Sequence, residues 1–146
     1  MTDLSSLVTD VWDTFYDIIS NNVSDPKNRG IKWIHTEFPD ADIKSPSDYP
    51  RLTIASPEVN HRRLGIKGTN AELSVDIGIY VTRKETLDSL SDSIINAINS
   101  NLNTFRQNFI YHVNLTGSTT ASIDRGSFKE HQKILTYNIV HFFRRG

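Results

Sequence analysis

The sequence contains no cysteine in its 146 residues, and this absence excludes several classes of site. Without thiols the chain can form neither a disulfide bond nor a thiolate metal site. No apolar run approaches the roughly 20 residues that a membrane-spanning helix needs, and Asp3 stands where a signal peptide would carry positive charge. We therefore expect an unsecreted, soluble protein that has no membrane partner.

An excess of charge of one sign is also lacking. The 16 basic and 17 acidic residues give a net charge of −1, so the chain as a whole does not attract nucleic acid or anionic lipid. A chain of this length buries about 70% of the surface that it exposes when unfolded, which is enough for one core. We therefore expect a single domain over residues 1–146.

The most informative segment is a long strand that leads directly into an amphipathic helix. Alternating apolar residues predict a strand over 72–82. Apolar residues at helical spacing then predict a helix over 83–102. Thr82 stands three residues before Glu85, which is the spacing of a capping box. The alternating set is Leu73, Val75, Ile77, Ile79 and Val81.

The other elements complete an α+β fold. Helical spacing of apolar residues predicts an N-terminal helix over 3–22. Small, polar and basic residues mark two long loops, 57–71 and 117–128, of which the first is either a hairpin arm or a mobile loop. We expect an antiparallel sheet with the N-terminal helix and one central helix packed on one face. The remaining predicted strands cover 31–36, 50–56, 109–116 and 133–143.

The five histidines show no spacing typical of metal ligands, such as HxxxH or HExxH. His112, His131 and His141 lie on or near strands that could neighbour one another, so a small histidine-dependent enzyme is one alternative. The sequence has neither a GxSxG motif nor a P-loop. We therefore expect no enzyme, no catalytic residue, no cofactor and no metal.

Two basic clusters are candidate contact sites, at His61-Arg62-Arg63 with Lys67 and at Arg144-Arg145. Either cluster could touch phosphates, so a nucleic-acid-binding module is a second alternative. Interleaved aromatic residues, which stack on bases, are missing around both clusters. At most, weak and non-specific contact with DNA is expected.

Solvated surface residues and contact with an acidic surface of another subunit are two further interpretations of these charges. The basic loop 57–71 could reach an acidic surface on a neighbouring copy, such as the polar face of the first helix. The candidate interface residues are His61, Arg62, Arg63, Lys67, Asp10, Asp13, Asp17, Phe128, Arg144 and Arg145.

The order of the elements resembles the tail terminator proteins of long-tailed bacterial and archaeal viruses, which complete the tail and join it to the head. Four pieces carry this resemblance, and together they cover nearly the whole chain. They are the N-terminal helix, the strand opening Tyr49-Pro50-Arg51-Leu52, the long strand that leads into the central helix, and the closing strand over 133–143.

The resemblance implies a structural virion protein without catalytic activity. It would form a homo-oligomeric ring, usually a hexamer, that caps the tail tube and joins it to the neck of the capsid. Its partners would be the tail tube protein and a neck or connector protein. It would assemble in the host cytoplasm and stay at the junction of tail and neck in the virion. A head–tail adaptor or neck protein is the alternative within the same class.

Overall fold

The computed structural model describes residues 7–29, 32–37, 45–65 and 68–144, with the backbone alone at 61–65, 68–69 and 143–144. This part of the chain contains a sheet of six strands and three α-helices. The helices are α1 (Leu7–Asn22), α2 (Lys84–Ser100) and α3 (Leu102–Gln107). The strands are β1 (Ile34–His35), β2 (Arg51–Ile54), β3 (Glu58–Gly65), β4 (Gly68–Val81), β5 (Ile110–Asp124) and β6 (Lys129–Arg144).

The sheet is built around β4. On one side β4 pairs with β6, which pairs with β5 at the edge. On the other side β2 and β3 pair with successive halves of β4, and β1 lies outside β2. Every pairing is antiparallel except that of β1 with β2, which is parallel. The predicted α+β class with an N-terminal helix is confirmed, but the sheet is mixed rather than wholly antiparallel.

The alternation in β4 places its apolar residues against the helices, as predicted. Leu73, Val75, Ile77 and Ile79 are fully buried, and they meet the apolar faces of α1 and α2 in one core. Residues between them, such as Glu72 and Asp76, are exposed. Because full burial of one such side chain contributes about 1.5–3 kcal/mol, this row is a major source of stability.

Helix α1 is fixed to the sheet by aromatic side chains. The ring of Phe15 lies 4.9 Å from that of Phe105 and 6.1 Å from that of Tyr137. The indole Nε1 of Trp12 donates a 2.7 Å hydrogen bond to the carbonyl of Ile54 at the end of β2. Residues 3–6 of the predicted first helix lie outside the described residues. Among the described helices, none combines the length and apolar character needed to cross a membrane.

The other face of the sheet carries a row of hydrogen-bonded polar side chains. The amide of Asn60 donates to Ser74, whose hydroxyl donates to Asn138 at 2.9 Å. Thr136 donates to Asp76 at 2.7 Å. Cross-strand pairs of this kind stabilise a sheet face that contacts water. The helices therefore cover one face of the sheet, and the second face carries this polar row together with the exposed Phe142.

Both predicted long loops are mainly strand. Segment 57–71 forms the hairpin of β3 and β4, which was one of the two predicted alternatives. The loop predicted over 117–128 is wrong, because Gly117–Asp124 pairs in continuous register with β6. The strands predicted over 109–116 and 133–143 are correspondingly too short. The polar composition of this segment led to the prediction of a loop. This part of β5 is exposed on both faces, so its sequence shows no alternation of apolar and polar residues.

Two helix predictions also need correction. Helix α2 begins at Lys84 with Arg83 as its N-cap, and no side chain caps it, so the predicted capping box of Thr82 and Glu85 is wrong. Helix α3 follows α2 in a segment that the sequence shows as polar. A single fully buried side chain, Phe105, holds α3 against the core.

Gly78 in β4 lies where a side chain has no room. An ideal Cβ there would stand 2.9 Å from the Cε2 of Tyr80 and nearer still to the hydroxyl oxygen of Thr53. The Tyr80 side chain, two residues along the same strand, occupies this space. By contrast, a Cβ at Gly117 in β5 would meet nothing within 4 Å.

We expect Gly78→Ala to lower the free energy of unfolding by about 1–3 kcal/mol, because overpacking forces neighbouring side chains from their rotamers. Urea unfolding measures the change. Gly117→Ala is the matched control and should stay within about 0.5 kcal/mol of the wild type. Equal losses at both positions would show that the close approach at Gly78 has no energetic consequence.

Candidate assembly interface

The predicted basic arm is the hairpin of β3 and β4. His61, Arg62 and Arg63 lie on β3, opposite residues of β4, and the last pair before the turn is Gly65 with Gly68. Lys67 lies outside the described residues. The structure therefore places three of the four predicted basic residues of this arm on a regular strand near the tip of a hairpin.

The second basic cluster meets the first at the same end of the sheet. Arg144, at the end of β6, pairs with Gly68 at the start of β4. Arg145 lies outside the described residues. We call the backbone positions of 61–63 and Arg144 the basic end. The two clusters are about 80 positions apart in the sequence, so only the register of β4 with β6 reveals that they adjoin.

The three predicted acidic residues of α1 line one cleft, as their helical spacing suggests. Asp13 and Asp17 are exposed, and Asp10 is half-buried. The cleft has a volume of about 370 Å³ and its second wall comes from the end of α3 and the residues after it. We call this the acidic cleft. It is lined by Asp10, Asp13, Thr14, Asp17, Thr104, Asn108 and Phe109.

The basic end and one wall of the acidic cleft lie at the same end of the sheet, with positions 61–63 on the edge strand β3 and Phe109 beside the other edge strand, β5. One row of paired residues runs across four strands, from Arg62 through Ala71 and His141 to Ile110. Arg62 is on the edge strand β3, and Ile110 opens the other edge strand, directly after Phe109 of the cleft. Three strand spacings of about 4.8 Å separate the two edges in this row.

Phe109 joins the cleft to the sheet in an uncommon backbone conformation. Its φ of +64° lies in the left-handed region, which residues other than glycine seldom adopt. Its ring is 38% exposed and stands 6.4 Å from the ring of His141. Its carbonyl accepts a 2.9 Å hydrogen bond from the amide of Phe142 on β6. This bond ties the wall of the cleft to the sheet.

His141 is a buried imidazole behind the cleft. Its side chain is almost wholly buried, and neither ring nitrogen has a hydrogen-bond partner among the described residues. Burial penalises the charged form and lowers the pKa of His141, while the negative charge of Asp10 opposes part of this shift. The folded protein therefore favours a neutral ring here.

Phe128 belongs to a cluster within the chain at the opposite end of the sheet. Its ring packs edge-on against Tyr49, with centroids 5.5 Å apart. The Tyr49 hydroxyl donates a 2.6 Å hydrogen bond to the buried carboxylate of Glu130, which also forms an ion pair with Arg125 at 3.2 Å. The sequence gives no periodic signal for this buried Glu130, because its hydroxyl partner comes from a segment about 80 residues away.

The structure does not assemble the three histidines of the enzyme alternative. His131 contacts Ser122 on β5 at 3.0 Å, and it lies ten positions along β6 from His141. At about 3.3 Å per residue, roughly 33 Å of strand separates them. Among the residues that the structure describes, no group of three His, Asp or Glu side chains is placed to hold a metal ion. The three histidines therefore do not form one cluster.

Comparison with known proteins gives similarity of fold alone. No protein-family model matches the sequence, and no curated protein does. Among solved structures, the chain is similar to a chain of the virion of a native gene transfer agent particle, with a TM-score of 0.57. The similarity covers 92% of this chain and 98% of that one, at 7% sequence identity. The two chains share a fold over nearly their whole lengths.

We expect the free energy of unfolding to fall between pH 7 and pH 5, in part through His141. In the unfolded chain this histidine takes up a proton near the ordinary histidine pKa of 6.5, whereas the folded state with its lowered pKa does not. The unfolded state then binds more protons, so stability falls as the pH falls. His141→Phe removes this contribution, and urea unfolding at both pH values should show a smaller loss. An unchanged loss in the variant would contradict the burial of a neutral ring.

Proposed function

We propose that this chain is a structural virion protein that acts as a tail terminator, forming a ring that caps the tail tube and joins it to the neck. The observation that carries this proposal is the shared fold with a chain from a gene transfer agent virion, because it spans nearly all of both chains. Fold alone does not determine function. The surfaces of this chain supply the rest of the argument.

Two surfaces of opposite charge at one end of the molecule support a ring. Contacts between two different surfaces are heterologous, and they close into a ring when the rotation between subunits permits. The basic end and the acidic cleft are such a pair, because positions 61–63 lie on the edge strand β3 and the Phe109 wall of the cleft lies beside the edge strand β5 at the same end of the sheet. In the proposed ring, the basic end of each copy contacts the acidic cleft of the next.

The charges favour this pairing over binding to DNA. The cleft brings three carboxylates together, and opposite charges across an interface speed encounter and fix its register. Near-zero net charge on the whole chain gives DNA little reason to bind elsewhere. A head–tail adaptor would use the same kind of contact, so the effect on the tube separates the two roles.

We expect the purified protein to stop growth of its cognate tail tube protein. Tubes polymerised in its presence should be shorter, with the protein found at one end by electron microscopy. An adaptor would leave tube length unchanged and would bind the neck protein instead. Tubes of normal length in a saturating excess of the protein would therefore rule out the terminator role.

Charge reversal tests the contact that builds the proposed ring. One variant carries Arg62→Glu and Arg63→Glu, and the other carries Asp13→Lys and Asp17→Lys. Each alone should lose ring mass and tube capping, because like charges then meet at every interface. A 1:1 mixture should recover both, since each reversed surface finds its complement on the other variant. An ion pair within one chain would not be restored by mixing, so failure of the mixture would contradict the proposed contact.

A further inference from the structure

The edge strand β5 presents a long row of backbone groups that the described part of the chain does not use for pairing. β5 spans 15 residues and, within the described part of the chain, pairs only with β6. From Asn114 to Asp124 every side chain is exposed. A strand in this position offers unpaired N–H and C=O groups along its outer side, which form a template for another strand.

This edge lacks most of the features that protect edges in monomeric proteins. Such edges usually carry charged residues or proline, are short, or are bent by bulges. The sequence from Ile110 to Ile123 contains no Lys, Arg, Asp, Glu or Pro. Bulges occur only in the first half, before Gly117, and Gly117–Asp124 runs in regular register with β6.

Two exposed apolar side chains accompany this free edge. Leu115 is 42% exposed and Ile123 is 38% exposed, and both lie on β5. Leu115 pairs with Tyr137, whose side chain lies on the helix-covered face. Ile123 pairs with Glu130, whose side chain lies on the other face. A strand added beside β5 would shield apolar surface on both faces of the sheet, in addition to pairing the backbone.

The opposite edge of the same sheet has the right direction to serve as that strand. It is stepped: β3 lies directly beside β4 along one half, and along the other half β2 lies beside β4 with β1 one strand further out. β1 is parallel to β2, and both β2 and β3 are antiparallel to β4, so all three strands run opposite to β5. A rotation about an axis nearly parallel to the strands preserves their direction. Copies related by such a rotation would therefore pair in the antiparallel manner, which is the more stable one.

The charges agree with this arrangement. Pairing the β3/β1 edge of one copy with β5 of the next brings the basic end beside the residues that precede β5. Those residues include Asn108 and Phe109, which form a wall of the acidic cleft. The backbone pairing and the charge contact thus occur together between the same two copies.

We propose that β5 pairs with the β3/β1 edge of a second copy of this chain, so that the sheets of neighbouring copies form one continuous antiparallel wall. This inference deepens the proposed function, because it names the surface through which the proposed ring is built. The helices would line one side of the wall, and the polar row around Ser74, Asp76 and Asn138 would line the other.

Disulfide trapping tests the pairing. Because the sequence contains no cysteine, only the introduced cysteines can form a cross-link. Single cysteines are placed at exposed positions of β5 (Thr116→Cys, Ser118→Cys or Thr120→Cys) and of the opposite edge (Glu58→Cys or Thr36→Cys). Antiparallel neighbours bring Cα atoms to about 5 Å, within reach of a disulfide. A mixture of one β5 variant with one opposite-edge variant should give disulfide-linked dimers upon mild oxidation. Chains that carry both cysteines should give a ladder of linked chains that ends at the ring size.

The controls separate this inference from the ring itself. Asn96→Cys lies on the exposed side of α2 and should remain unlinked when mixed with a β5 variant. Dimers formed by a β5 variant alone would indicate pairing of β5 with itself and would overturn the proposal. Native mass spectrometry of the same variants measures their oligomeric state. If a ring forms but no pair of cysteines in the panel cross-links, the strand pairing is wrong and the proposed ring still stands. A chain that remains monomeric with and without the tube protein overturns the proposed function as well.

Discussion

Burial of the apolar face of β4 is the constraint on which the rest of the structure depends. Its alternating residues require a cover, and α1 and α2 supply it on one side only. The intervening residues, Glu72, Ser74 and Asp76, must then stay in contact with water or with a polar partner. The register of the pairs carries this division to the neighbouring strands, so the sheet has one face closed by helices, a second face that the described helices leave uncovered, and two edges.

The surfaces that remain are suited to contact between protein subunits. The sheet ends on one side with strand β5, which has no charged residue before Asp124, and on the other with the β3/β1 edge. At one end of the molecule, positions 61–63 lie on the β3 edge and the Phe109 wall of the acidic cleft lies beside β5. In the proposed ring these two different edges meet head-to-tail.

The sequence predicted helices and strands correctly where one face of the element is buried and the other is exposed to solvent. The period of two in β4 and the helical stripe of α1 come directly from that contrast. It failed at Gly117–Asp124, because a strand exposed on both faces has no contrast to display. It also missed α3, which Phe105 alone anchors. Helical spacing predicted that the three aspartates of the acidic cleft lie together. It could not predict the cleft wall of Asn108 and Phe109 or the position of Arg144 next to the hairpin. Both depend on the register between distant strands, which no local pattern encodes.

Hydrogen exchange of the β5 backbone tests most directly whether this protein works through the edges of its sheet. In dilute monomer, the amides of Ile110–Asp124 that point away from β6 should exchange quickly, whereas those hydrogen-bonded to β6 should be protected. In the assembled ring the remaining amides should slow to the rate of the central strands, while exchange in α2 stays unchanged. Equal exchange of β5 in monomer and ring would contradict the account, since its edge would then have found no partner.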